Sequence, residues 1–275
     1  MMVTILDSHP DIAMSYELYP NLLELEDGSP EGLSKAISRL DPTRGRRYAE
    51  DIANTKLATF LNRLPRGGLE PADVLEVINS HVSENAGVRT VEERLRLVER
   101  LARWKARRED KGRWGLKCLN NYADYLSVFP DASFINMVRD GRDVFASQLT
   151  QMSRVADVEA VARAWVRTNQ QFREFASQSG VPAEEVIYEQ LVRDPESELR
   201  KLCVRLGLSF YPSMAKHQEQ PHTVYSASHL SLARIKQPID TASIGRWRED
   251  LTPDQVAGFM AIAGDMMEAY GYTMK

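Results

Sequence analysis

The stretch from Phe134 to Ser147 constrains this chain more than any other. Phe134-Ile135-Asn136-Met137-Val138 is an apolar run suited to a buried strand, and it ends in Arg139-Asp140-Gly141-Arg142-Asp143, two Arg-Asp pairs around a glycine. A helical pattern then starts at Asp143 and carries Ser147 one turn in. Strand, tight polar turn and helix N-terminus together favour an anionic guest. Backbone N–H groups and the helix dipole converge there, and Arg139 adds a forked, charge-assisted grip. Phosphate fits that description. The plainer alternative is a strand end whose arginines and aspartates pair with one another in solvent.

The rest of the chain places this unit in an α/β fold. Met1 to Leu6 reads as the tail of a helix stopped by Ser8-His9-Pro10, and Asp27-Gly28-Ser29-Pro30 is a turn cluster. From about 30 to 110 the pattern is helical and rich in charge, broken at Asp41-Pro42 and at Leu64-Pro65-Arg66-Gly67-Gly68. Within it Val91, Leu95, Val98 and Ala102, with Leu97, Leu101 and Trp104, form one apolar stripe. The arginines between Arg89 and Arg113 alternate with Glu92, Glu93, Glu99 and Glu109, which predicts a solvated face rather than a patch for an acidic partner. Trp114 to Cys118 is a strand candidate, followed by a helix over Asn121 to Phe129. After the 134–147 unit come a helix over Ala160 to Ser177, a third short strand over Glu185 to Tyr188, and a helix opened by Asp194-Pro195 and closed by Gly207. Short strands alternating with helices predict a parallel sheet with helices on both faces.

At 275 residues the chain suits one large domain, here 1–275 with a helical insertion at 30–110. A net charge of −4 gives no support for nucleic acid as a partner, and no apolar stretch approaches the length of a membrane span. Two cysteines far apart, Cys118 and Cys203, predict reduced thiols and a cytoplasmic home. His217, His222 and His229 have no carboxylate or cysteine at ligand spacing, so no metal is predicted.

Five ordered segments carry a resemblance. They are Leu6-Asp7-Ser8-His9-Pro10-Asp11 with Glu17, Gly115-Leu116-Lys117-Cys118, and Met137-Val138-Arg139-Asp140-Gly141-Arg142 with Ser147. Val186-Ile187-Tyr188-Glu189-Gln190-Leu191-Val192 leading to Asp194-Pro195 follows, and Ile235-Lys236-Gln237-Pro238 leading to Gly245-Arg246-Trp247 completes the set. In this order they resemble the sulfotransferases that use PAPS, 3′-phosphoadenosine 5′-phosphosulfate, and within them the tyrosylprotein sulfotransferases and their bacterial relatives. The resemblance covers most of the chain outside 30–110 and implies a P-loop-type parallel sheet. That family opens with a strand and an Arg-Ser-Gly-Thr-Thr-like loop that cradles the phosphosulfate. The loop is expected immediately before Met1-Met2-Val3, where this chain starts; a late-assigned start is expected over a genuine truncation.

The resemblance also implies roles. Glu17 would be the base that takes the acceptor's proton, and Lys117 the cation that steadies developing charge. Arg139 and Ser147 would hold the 3′-phosphate, and Tyr188 would lie near the adenine or ribose. Lys236 and Arg246 would close over the nucleotide phosphates. Arg142 is the weaker candidate, read as a partner of Asp140 or Asp143, with His9 as a structural cap and Trp247 as core. The implied activity is transfer of a sulfuryl group from PAPS, without a metal, to a hydroxyl or amine on a small molecule, a carbohydrate or a peptide tyrosine. The alternatives are a non-catalytic nucleotide-binding relative and a kinase-like phosphoryl transferase, the latter disfavoured by the lack of a Walker loop.

Overall fold

A computed structural model describes residues 1–38, 56–119, 121–151, 157–221, 223–224 and 232–273. The Asp41-Pro42 break, His222 and His229 lie outside the described residues. The chain divides into two compact units, Met1–Pro130 with Tyr211–Pro238, and Asp131–Phe210 with Ile239–Lys275.

In the first unit α1 (Met2–Asp7) leads to β1 (Ile12–Ser15), which pairs in parallel with β2 (Arg113–Leu116) in the register Ile12 to Arg113 through Ser15 to Leu116. Strand β1 had no sequence signal. It is four residues long and buried throughout, so it has none of the alternation that marks a half-exposed strand. Among the described residues the crossover from β1 to β2 is mostly helical, the usual form of the long connection that a parallel pair requires. It contains α2 (Pro30–Ser38), α3 (Lys56–Arg63), α4 (Pro71–Ser83) and α5 (Val91–Arg108). Thr90 opens α5 with a reciprocal cap. Its hydroxyl accepts from the Glu93 N–H at 3.1 Å, and the Glu93 carboxylate accepts from the Thr90 N–H at 3.0 Å. The predicted stripe is buried at Leu95, Leu97, Val98, Leu101 and Ala102, and of these Leu97, Val98 and Leu101 share a core cluster with Phe60 and Leu61 of α3 and Ile78 of α4.

Charge on α5 divides between two environments. Arg96, Arg100 and Arg103 pair at the surface with Glu99 and Glu84, as the solvated-face reading expects. Lys105 departs from it. Its side chain is 2% exposed, and its ammonium reaches Glu109 Oε1 at 2.7 Å and Asp7 Oδ1 at 3.4 Å. The same Asp7 oxygen accepts from the Met14 N–H at 2.8 Å, while Lys111 donates to the Asp7 carbonyl at 2.6 Å. This buried network joins the end of α1, strand β1 and the last turn of α5. Helical spacing could not separate Lys105 from its surface neighbours, because the distinction comes from a carboxylate about a hundred residues away in sequence.

In the second unit β3 (Phe134–Val138) pairs in parallel with β4 (Ala183–Ile187), in the register Phe134 to Ala183 through Val138 to Ile187. Between them run α7 (Gly141–Gln151) and α8 (Val158–Ser179), numbered after α6 (Tyr122–Val128) of the first unit. Helix α7 starts two residues earlier than Asp143. A Cβ at Gly141 would stand 2.5 Å from the Phe259 ring, so a bare backbone lets the last helix, Pro253–Ala269, pack there. The strand predicted to run to Tyr188 ends at Ile187, and Tyr188 opens α9 (Tyr188–Arg193), followed by α10 (Pro195–Arg205). Asp194 caps α10 by accepting from the Ser197 N–H at 3.2 Å.

A buried carboxylate fastens the segment before the last helix. Asp143 is fully buried, its Oδ2 accepts from the Gly245 N–H at 2.8 Å and its Oδ1 from the Trp247 N–H at 3.0 Å. Arg142 pairs with Asp140 at 2.7 Å and lays its guanidinium 4.0 Å from the Trp247 ring centroid. Trp247 is core, as read from the sequence.

Two stability outcomes follow. Lys105→Ala strips Asp7 and Glu109 of a buried cation and should lower the unfolding free energy by about 3 kcal/mol, measured by urea denaturation. Asp143→Ala orphans two N–H groups. It should cost about 2–4 kcal/mol and speed hydrogen exchange at the Gly245 and Trp247 amides.

Candidate active site

The parallel register of each unit sets residues side by side where the paired strands end. In the first unit Ser15 lies opposite Leu116, so Tyr16 and Lys117 follow together. The Lys117 N–H donates to the Ser15 carbonyl at 3.1 Å, which carries the ladder one step past β2. Its ammonium donates to the Tyr16 hydroxyl at 3.0 Å and lies 4.4 Å from the centroid of that ring. Lys117 keeps a large accessible surface, but its charged end is crowded by protein. Burial therefore holds its pKa below the usual lysine range; nearby Glu17 opposes the shift and Arg63 adds to it.

Glu17 follows Tyr16 with a backbone φ of +60°, in the left-handed region that a glutamate rarely occupies. Its carboxylate Oε2 accepts from Arg66 at 3.2 Å and lies 3.8 Å from Arg63. Arg63 also sits over the Tyr19 ring, 5.4 Å from its centroid. Tyr19 is pushed up to about 12, chiefly by burial and then by the Glu17 charge. Lys236, in the same unit, is exposed; it follows Ile235, which packs in a small apolar cluster with Tyr16 and Val224. His9 is buried, its Nδ1 accepts from the Asp11 N–H at 3.1 Å and its ring meets Tyr211 edge-on, so it is structural.

In the second unit Val138 lies opposite Ile187, so Arg139 and Tyr188 follow together, with the guanidinium 4.7 Å from the tyrosine ring centroid. Arg139 donates to the Ser243 carbonyl at 2.5 Å and lies 3.8 Å from Asp143. Its Nε is buried with no hydrogen-bond partner among the described residues. Burial pushes the Asp143 carboxyl up, and the Trp247 and Gly245 N–H groups pull it back. Ser147 stands half-buried on α7, one turn beyond Asp143. Arg246 pairs with Asp250 at 2.6 Å and donates to Thr150 on the same helix at 3.1 Å.

The structure thus gathers Glu17 and Lys117, with Lys236, in one unit, and Arg139, Ser147, Tyr188 and Arg246 in the other. Sequence reasoning missed two sets of neighbours. Arg63 and Arg66 come from the helical insertion, where the Leu64–Gly68 cluster was read only as a break. Glu189, also missed, is buried; its Oε1 accepts from the Asp140 N–H at 2.9 Å and its Oε2 from the Tyr272 hydroxyl at 2.7 Å. It props the turn that carries Arg139, and the available signal was its place beside Tyr188.

The chain is similar to several known proteins. A Gallus gallus protein named protein-tyrosine sulfotransferase 2 is 28% identical over 162 residues, covering 54% of this chain and 43% of that protein. Protein-tyrosine sulfotransferase 1 of Danio rerio is 26% identical over 175 residues, covering 59% and 47%. The matches take in about half the length of these curated relatives. Among solved structures, the sulfotransferase domain from the curacin biosynthetic pathway superposes with a TM-score of 0.62 at 15% identity, over 100% of this chain and 93% of that one. That likeness bears on the fold alone, and it agrees with the α/β, P-loop-type architecture. The profile of the sulfotransferase family matches residues 1–212, and the chain belongs to that family.

Proposed function

We propose that this chain transfers a sulfuryl group from PAPS to a hydroxyl or amine acceptor, within a single sulfotransferase-like domain whose residues 30–110 are an insertion. The observation that carries the reading is Arg139. Its guanidinium sits at the end of β3, beside the start of an eleven-residue helix, with a buried Nε that lacks a partner among the described residues. An anion with several oxygens would satisfy it, and phosphate has the matching geometry.

When bound, PAPS supplies the sulfuryl group and the 5′-phosphate oxygen that departs. Arg139 and Ser147 hold the 3′-phosphate, and Tyr188 stiffens Arg139 from behind while facing the nucleoside. Lys236 and Arg246 contribute further positive charge toward the nucleotide phosphates. Glu17 takes the acceptor's proton as the acceptor oxygen or nitrogen bonds to sulfur. Lys117 stabilises the electron pair left on the departing oxygen. Its depressed pKa suits that role, since a partly desolvated ammonium is both a stronger field source and a better proton donor. The names of the relatives make a tyrosine in a peptide the first acceptor to try, with carbohydrates and small phenols or alcohols next. The free thiols Cys118 and Cys203 support a cytoplasmic setting.

Calorimetric titration of 3′-phosphoadenosine 5′-phosphate into the full chain should give micromolar affinity, and Arg139→Ala should weaken it by about 10- to 100-fold. Equal binding by the variant would sink the phosphate assignment. Glu17→Gln should lower transfer from labelled PAPS by about 10²- to 10⁴-fold while leaving nucleotide affinity within about twofold.

A further inference from the structure

The helical insertion does more than fill space beside β1. The turn Leu64–Gly67 that ends α3 lies directly on the segment carrying Glu17. A Cβ at Gly67 would stand 3.0 Å from the Tyr16 carbonyl oxygen and 3.4 Å from its nitrogen, so the two backbones lie close and a side chain there would be crowded. Gly68, at φ +78°, then turns the chain where a side chain would meet Lys105 Cε at 2.6 Å, the residue held in the buried network with Asp7. Arg66 is thereby presented from a braced turn. It donates to Glu17 Oε2 at 3.2 Å, while Arg63, occupied over Tyr19, stays at 3.8 Å from the same oxygen. The other carboxylate oxygen, Oε1, takes no hydrogen bond among the described residues.

We infer that Arg66 is a positioning residue for Glu17: the insertion turn delivers its guanidinium to one carboxylate oxygen and so leaves the other, Oε1, aimed and available for the acceptor's proton. The inference rests on the reading of Glu17 as the base. The physical need is plain. Glu17 sits on a left-handed backbone position with its side chain mostly buried, and the Arg66 hydrogen bond is the one its carboxylate accepts among the described residues, so that bond sets which oxygen is held and which is left for the acceptor. The Leu64-Pro65-Arg66-Gly67-Gly68 cluster then has a reason for its composition: proline and two glycines shape the turn, and the arginine is its product.

A double-mutant cycle on the full chain tests this. The rate is sulfuryl transfer from labelled PAPS to the best of four acceptors: a tyrosine peptide, a phenol, an alkyl alcohol or water. Arg66→Ala should lower kcat by about 10- to 100-fold with KM for PAPS changed less than about threefold, and Arg66→Lys should recover part of the loss. In a Glu17→Gln background the same Arg66→Ala change should have less than about a twofold effect, because there is no base left to aim. A loss of equal size in both backgrounds, or wild-type kcat in Arg66→Ala, would overturn the inference while leaving Glu17 as base. If Glu17→Gln itself transfers at the wild-type rate, the reading of Glu17 fails first and the inference with it. Should Arg66→Ala melt well below the parent, Arg66→Gln and Arg66→Lys supply the same comparison.

Discussion

Parallel strand register is the constraint on which everything else in this protein depends. In each unit two short strands run side by side with matched ends, so the residues that follow them emerge as neighbours. The consequence is the same arrangement twice: Lys117 over Tyr16 in one unit, Arg139 over Tyr188 in the other. In each case a cation that would otherwise wave in solvent is laid against an aromatic face, which restricts its motion and holds its charge at a strand's carboxyl end. Chemistry in open α/β sheets gathers at that edge for this reason.

Buried charge keeps these edges in place. Asp7, Lys105 and Glu109 tie α1 and β1 to α5, and Asp143 ties the start of α7 to the backbone of Gly245 and Trp247. Replacing such groups with well-fitted apolar ones would often be neutral for stability, so their value here is geometric. A carboxylate that accepts two particular N–H groups permits one arrangement of the chain, whereas a leucine in its place would permit several. The arginine and aspartate pairs after β3 divide the labour accordingly. Arg142 pairs with Asp140 through two of its nitrogens, Asp143 holds the later segment, and Arg139 Nε and Arg142 Nη1 each stay buried without a partner among the described residues.

Much of this was legible in the residues themselves. Strand β3 matches its predicted bounds to the residue, because four hydrophobic side chains around a single asparagine, bounded by a polar turn, have few other uses. Helices α5, α8 and α10 were readable from periodicity and caps. Strand β1 was not, since four buried residues leave no period to detect, and Tyr188 fell on the helix side of its junction because strand and helix ends carry no sharp signal. Lys105 looked like its exposed neighbours, and its burial brings it to Asp7, far away in sequence.

The sequence by itself determined most of the local units: which segments apart from β1 are strands or helices, where the Arg-Asp turn falls, and which side chains have the chemistry for an anion or a proton. Only the tertiary structure decided which of those side chains meet. Arg66 reaches Glu17 across 49 positions, Arg139 reaches Ser243 across 104, and Lys105 reaches Asp7 across 98. Local spacing encodes periodicity and capping because these act within a few residues. It cannot encode contacts whose geometry exists only once the parallel pairs have closed over their helical crossovers.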